Sequence, residues 1–297
     1  MSLPNFMCIG AAKSGTTSLY DILRQHSDVF IPSFKEPHFF DMPSVYKHGI
    51  KWYEKTYFKN VKTEKCIGDF TPSYLFFSEA AEKIKNDLGE DIKFIILLRN
   101  PVDRAYSHYL HSVRDERENL SFLDAIKMEE KRLNEYQKKN DLLNYIRHSY
   151  IKQSKYAEMI EAYFDVFSSD NFLILHFEDE FIANREHTIE KVLEFLGLEN
   201  TKELKTDIKS NPASKAKSKK LKRLMQKTGW WRIVIKNMIP SLKIRQIIKN
   251  RIQRANLNAF IPPQLSEFEK QNIFELDFKD DVNKLEILLG RKMNWNK

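Results

Sequence analysis

Apolar positions along the chain fall into two alternating kinds of stretch. Short, almost wholly apolar runs at 6–9, Lys93–Leu98 and 172–177 have the length of strands buried on both faces, and 65–67 adds a shorter one. Between them lie segments whose apolar residues recur every three or four positions, predicting helices over 16–25, 78–88, 101–116, 122–138, 150–167 and 186–196. Pro101 suits the first turn of its helix, where its missing N–H has no intrahelical partner. On that helix Val102, Tyr106, Tyr109, Leu110 and Val113 form the apolar stripe, with Arg104, Ser107, His108 and His111 on a polar one. Strands alternating with helices predict an α/β fold, with three layers built on a central, mainly parallel sheet. A loop is expected at 199–219 and a closing helical region at 264–289. No repeat or low-complexity tract interrupts the pattern, so 1–297 is expected to be a single domain.

Charge changes this picture in one region. The chain has 49 Lys and Arg against 41 Asp and Glu, but no acidic residue lies between Asp207 and Glu267, where 15 Lys and Arg gather. The basic, helix-rich segment 209–254 therefore reads as an insertion or lid on an otherwise mildly acidic domain. Such a field attracts anions, whether nucleotide phosphates, acidic sugars, nucleic acid or an anionic membrane. Within it, "WWRIVIKNMI" and "KIRQIIKNRIQR" are basic amphipathic stretches, compatible with core packing, an acceptor wall, a membrane surface or a partner. No apolar run approaches the roughly 18 residues of a membrane span, so a soluble, cytoplasmic chain is expected, with a removed N-terminal leader left open. Cys8 and Cys66 lie in apolar runs without CxxC spacing and read as reduced core thiols.

Candidate chemistry starts in "GAAKSGTTSLYDIL", residues 10–23. It has the setting of a phosphate loop: an apolar strand, a turn rich in Gly, Ser and Thr, then a helix whose first N–H groups face an anion. The order differs from the G-x-x-x-x-G-K-[ST] loop, because Lys13 precedes Gly15. The strand "FIILL" ends in Arg99, where an NTPase would place a magnesium-directed aspartate, so the positive charge comes from the protein and no metal is expected. His108 and His111 lack further ligands at a telling spacing.

"AAKSGTTSL" followed by "RNPVDRAYSHY", with "KEPHFFD", "GDFTPSYL" and "NPASKAKS" in support, resembles the sulfotransferases that use 3′-phosphoadenosine 5′-phosphosulfate (PAPS) and release PAP. The "EPHFF" segment is similar in particular to heparan-sulfate-type and bacterial carbohydrate enzymes. The resemblance implies that Lys13, Ser14, Gly15, Thr16, Thr17 and Ser18 wrap the 5′-phosphosulfate, with Lys13 facing the bridging oxygen. It gives the 3′-phosphate to Arg99 and Ser107, and a late basic loop over the donor to Ser214 and Lys215. Glu36 matches the family's general base, His38 would share that task or orient the acceptor, and Asp69 would lie near the acceptor. Phe70 stands where heparan-type enzymes carry a lysine, a departure that speaks against a heparan-like acceptor. The implied reaction is sulfuryl transfer to a hydroxyl, less readily an amine, of a saccharide or glycoconjugate. The segment 209–254 offers a surface for an anionic acceptor or membrane, and no nucleic acid is expected. Two other readings stay open: a P-loop nucleotide kinase or phosphotransferase, which would bind ATP with magnesium, and a non-catalytic polyanion binder.

Overall fold

The computed structural model describes residues 2–199, 204–208, 214–216, 257–259 and 263–295. Five strands, β1 (Phe6–Gly10), β2 (Val29–Phe30), β3 (Cys66–Phe70), β4 (Lys93–Leu98) and β5 (Phe172–His176), form one sheet in the order β2-β3-β1-β4-β5, with every neighbouring pair parallel. Side-chain alternation explains why these strands read as continuous apolar runs. Phe6, Cys8, Ile95 and Leu97 enter the core on one face, while Met7, Ile9, Phe94, Ile96 and Leu98 enter the core on the other.

Helices α1 (Thr16–Leu23) and α10 (Arg185–Leu196) cover the first face through Leu19, Ile22, Ile189 and Val192. The second face is covered by α4 (Glu79–Leu88), α5 (Pro101–Arg114), α9 (Ala157–Phe164) and α12 (Lys279–Leu289). Two short helices, α2 (Pro43–Tyr46) and α3 (Ile50–Tyr53), precede β3, and α6 (Phe122–Lys127), α7 (Glu129–Lys138) and α8 (Leu142–His148) lie between α5 and α9. Helix α11 (Glu267–Ile273) opens the closing region on a capping box between Ser266 and Glu269. The result is a P-loop-like α/β three-layer fold with its phosphate loop at the carboxyl end of the central strand.

Three differences from the sequence pattern have one physical source, the burial of charge. Arg104 is fully buried and His108 nearly so, whereas Ser107 and His111 are half-buried and Val113 is exposed, so part of the polar stripe of α5 enters the core. Arg104 lies there because its Nε donates to Ser154 Oγ at 2.5 Å and its guanidinium to the Tyr150 carbonyl at 2.6 Å. Glu129 also turns inward, accepting the backbone N–H groups of Tyr150 and Ile151 at 2.9 and 2.8 Å and that of Lys152 at 2.8 Å. The helix expected over 122–138 breaks at Met128 just before it, and the helix expected over 150–167 starts only at Ala157. A buried carboxylate that recruits three N–H groups competes with helical pairing and wins locally.

Within the expected loop 199–219, β6 (Ser214–Ala216) pairs antiparallel with β7 (Leu257–Ala259), and this ribbon runs alongside α5. The rest of the basic segment 209–254, including its two amphipathic stretches, lies outside the described residues. Cys8 and Cys66 are buried free thiols, and burial pushes the Cys8 thiol up to about 12.

Candidate active site

The phosphate loop leaves β1 and closes on α1. Gly15 is its N-cap residue, with φ 86° and ψ 3°, a left-handed conformation that costs an L-residue energy. A Cβ there would also meet the Phe177 and Phe181 rings at 2.8 and 2.9 Å, so glycine is required twice. No side chain caps α1 and no acidic residue sits in its first turn. The positive end of the helix is left for an anion. Lys13 is itself left-handed, with φ 74°, and its carbonyl accepts a hydrogen bond from Arg99 at 3.0 Å. This bond ties the loop after β1 to the end of neighbouring β4.

Among the described residues, two groups here make no hydrogen bond. Ser14 is wholly buried, and its Oγ has no hydrogen-bond partner. Arg99 Nε makes none either, although Glu178 Oε1 pairs with it at 4.0 Å and the Phe177 ring lies beneath the guanidinium at 5.1 Å. A buried hydroxyl and a guanidinium edge awaiting acceptors fit a phosphorylated ligand. Burial, reinforced by the Arg114 charge, lowers the Lys13 ammonium to about 8.

Opposite the loop, residues 35–41 carry the acid–base cluster. His38 Nδ1 lies 2.9 Å from Asp41 Oδ2, and its Nε2 lies 3.4 Å from Glu36 Oε2. Ser73 Oγ donates to Asp41 Oδ2 at 2.5 Å. Burial opposes charging of the ring, but the Asp41 and Glu36 hydrogen bonds overcome it and raise His38 to about 10. Both ring nitrogens thus face carboxylates, Asp41 and Glu36, which favours the charged ring. The ring is placed to hold Glu36, beside its expected share in the base role. Burial alone would push the Glu36 carboxyl up, yet the His38 hydrogen bond and the charges of Lys35, His38 and Lys13 leave it below the ordinary glutamate range.

Lys35 joins the two halves. Its Nζ donates to Thr17 Oγ1 at 3.0 Å and Thr16 Oγ1 at 3.4 Å, and lies 3.9 Å from Glu36 Oε1. Sequence reasoning passed over it, because a lysine beside a glutamate reads as a solvated pair. Asp41 and Ser73 were passed over too, since only the fold brings them together.

Asp69 does not open onto the cleft. It is fully buried and accepts hydrogen bonds from Tyr53 at 2.5 Å, Thr71 at 2.6 Å and Tyr74 at 3.0 Å. The acceptor contact expected of it thus gives way to a supporting position, since the Tyr74 hydroxyl in turn accepts the Phe39 backbone N–H at 3.0 Å. Burial raises its carboxyl to about 6 despite those three donors. Asp69→Asn sets an amide N–H against one hydroxyl donor, and chemical denaturation is expected to show a loss of about 1–3 kcal/mol. Unchanged stability would mean that the network tolerates a neutral centre.

Thr16 and Ser18 are buried on α1 and Thr17 is half-buried. Ser107 is half-buried on α5, the helix that follows Arg99. Ser214 and Lys215 belong to β6 beside that helix, and their side chains lie outside the described residues. His108 and His111 diverge: the buried His108 ring meets Tyr150 edge-on at 5.3 Å, while His111 Nε2 lies 3.9 Å from Asp115.

A Gly-, Ser- and Thr-rich loop at the carboxyl edge of a parallel sheet, with cations on the loop and on the adjacent strand's end and a carboxylate opposite, defines a P-loop-like domain. Within that class the chain belongs to the sulfotransferase domain family, whose model matches residues 3–245. Among curated relatives, the membrane-associated sulfotransferase kil1 of Dictyostelium discoideum is 37% identical over 123 residues, 41% of this chain and 26% of that protein. Mouse heparan sulfate glucosamine 3-O-sulfotransferase 3B1 is 36% identical over 120 residues, 40% of this chain and 30% of that protein. Mouse carbohydrate sulfotransferase 15 is 26% identical over 247 residues, 66% of this chain and 44% of that protein. The chain thus spans less than half the length of these relatives. A solved sulfotransferase from Alicyclobacillus acidocaldarius is 27% identical with a TM-score of 0.69, covering 100% of both chains. No helix among the described residues is long and apolar enough to cross a membrane.

Proposed function

We propose that this chain transfers the sulfuryl group of PAPS to a saccharide hydroxyl, by in-line displacement. The observation that carries the reading is the Lys35 bridge, which holds the phosphate loop and Glu36 within one side chain's reach of each other. A donor group seated on Lys13, Ser14, Gly15, Thr16, Thr17 and Ser18 then faces the carboxylate that takes the acceptor's proton. The acceptor oxygen forms the new O–S bond as the bond from sulfur to the bridging oxygen breaks, the proton passes to Glu36, and PAP leaves. Negative charge grows on the bridging oxygen in the transition state, where the Lys13 ammonium stabilises it more than in the ground state. Lys35 adds a second cation at the same border. Arg99 and Ser107 take the 3′-phosphate, for which the planar guanidinium fork is suited. Ser214 and Lys215, on the ribbon beside α5, are further donor contacts in this reading. The saccharide acceptor rests on relatives named for heparan sulfate and carbohydrate sulfation.

PAP is expected to raise the melting temperature clearly while AMP and ADP do little, because only PAP carries the 3′-phosphate that Arg99 and Ser107 would grip. Transfer is expected to persist in EDTA, the protein itself supplying the positive charge. Equal stabilisation by ADP, or loss of activity in EDTA that magnesium restores, would favour a phosphotransferase instead.

A further inference from the structure

A groove of about 1560 Å³ lies between the start of α2, the start of α4 and helices α6 to α9. Its lining includes neither the phosphate-loop residues nor Glu36 and His38, and it starts one residue after Asp41 in the sequence. Met42 on its wall follows Asp41 directly, and Phe76 on its floor lies three residues after Ser73.

The lining has the chemistry of sugar recognition. Phe76 and Phe77, both half-buried, line it with ring centroids 5.1 Å apart, one face of Phe76 being covered by the buried Tyr145 ring at 5.8 Å. Aromatic faces of this kind pack against the C–H faces of pyranose rings. Asn134, Gln137 and Asn140 add exposed amides, each able to donate and accept toward vicinal hydroxyls. The volume exceeds the roughly 300–1,000 Å³ of ordinary small-molecule pockets, leaving room for several linked sugars.

Charge selects among saccharides. Among the described lining residues there are six carboxylates, Glu79, Glu129, Glu130, Asp141, Glu158 and Asp277, against three lysines, Lys127, Lys152 and Lys155. Lys152 is already engaged, its Nζ donating to the Tyr145 hydroxyl at 2.7 Å. A polymer carrying a carboxylate or sulfate on every disaccharide would meet like charge along this wall. We propose that the groove binds an uncharged saccharide chain, holding the part of the acceptor beyond the reacting hydroxyl. This rests on the sulfuryl-transfer reading and names the acceptor class within it.

Titration calorimetry with the PAP-bound protein tests it, using chitohexaose and cellohexaose as neutral probes and a heparosan hexasaccharide as the carboxylated probe of equal length. At least one neutral hexamer is expected to bind about tenfold or more tighter than heparosan, with little change between about 50 and 500 mM salt. The double variant Asn134→Arg, Gln137→Arg alters two exposed positions. It is expected to lose that binding by about tenfold while keeping the PAP-induced rise in melting temperature. Heparosan binding as tight as either neutral hexamer, no binding of both neutral hexamers, or an unaffected double variant would each overturn the proposal. Absence of any PAP-induced rise in the wild type would instead overturn the donor assignment, so the two failures are separable.

Discussion

Replacing Glu36 with glutamine is expected to lower turnover by about 10²–10⁴, the usual contribution of a general base. Glutamine keeps the size and hydrogen-bonding reach of the side chain but does not accept a proton at neutral pH. PAP affinity and melting temperature should therefore stay close to wild type. The carboxylate sits 3.9 Å from Lys35 and 3.4 Å from His38, and their charges hold it below its ordinary range, so it is ionised before substrates arrive. A bound donor would offset the charges of Lys13 and Lys35 with its own. The loss of those two lowering influences raises the proton affinity of Glu36 when the acceptor needs a base. For the free enzyme the acid limb of kcat/KM is expected below the ordinary glutamate value of 4.5, because the shift is downward. If Glu36→Gln keeps more than about a third of wild-type turnover with the chemical step limiting, the base lies elsewhere.

His38 gives this cluster a pH dependence of its own. Its folded-state value of about 10 lies above the ordinary 6.5, so its contribution to stability is complete below about 6.5 and fades as pH rises through 10. The same ion pairs thus fix the orientation of Glu36 across the neutral range.

The sheet and its phosphate loop were legible because their signals are local. In β1 and β4 every residue from Phe94 to Leu98 and from Phe6 to Ile9 is buried, and burial on both faces produces an unbroken apolar run. The two-residue strand β2 is too short to leave any period. The polar stripe gave no sign that Arg104 and His108 are buried, because an apolar pattern does not register a hydrogen-bonded cation in the core. At the site, Lys13, Gly15 and Arg99 stood out by motif, and Glu36 only through the family resemblance. Ser73 reaches Asp41 across 32 residues and His38 across 35, contacts that no spacing rule anticipates. Lys35 was visible as a residue but not as a bridge, since its partners Thr16 and Thr17 lie on another element.

Lys13→Met should differ from Glu36→Gln by damaging donor binding and chemistry together. A cation placed at the bridging oxygen is comparable with an oxyanion-hole donor, whose removal costs about 10²–10³ in turnover. PAP, which keeps the 5′-phosphate, should also bind more weakly. Proton linkage separates this from a packing defect. In the free protein burial lowers the Lys13 ammonium to about 8, and a bound anion stabilises its charged form, raising that value in the complex. Affinity for PAP should accordingly be flat below about pH 8 and fall above it, with a proton taken up on binding in that window. Calorimetry in buffers of different ionisation enthalpy reads this uptake directly. In Lys13→Met this component should vanish, leaving weaker and flatter binding. A variant that retains the wild-type proton uptake would place the titrating cation elsewhere, and Lys35, whose burial also lowers its ammonium and which touches the same loop through Thr17, would take its place.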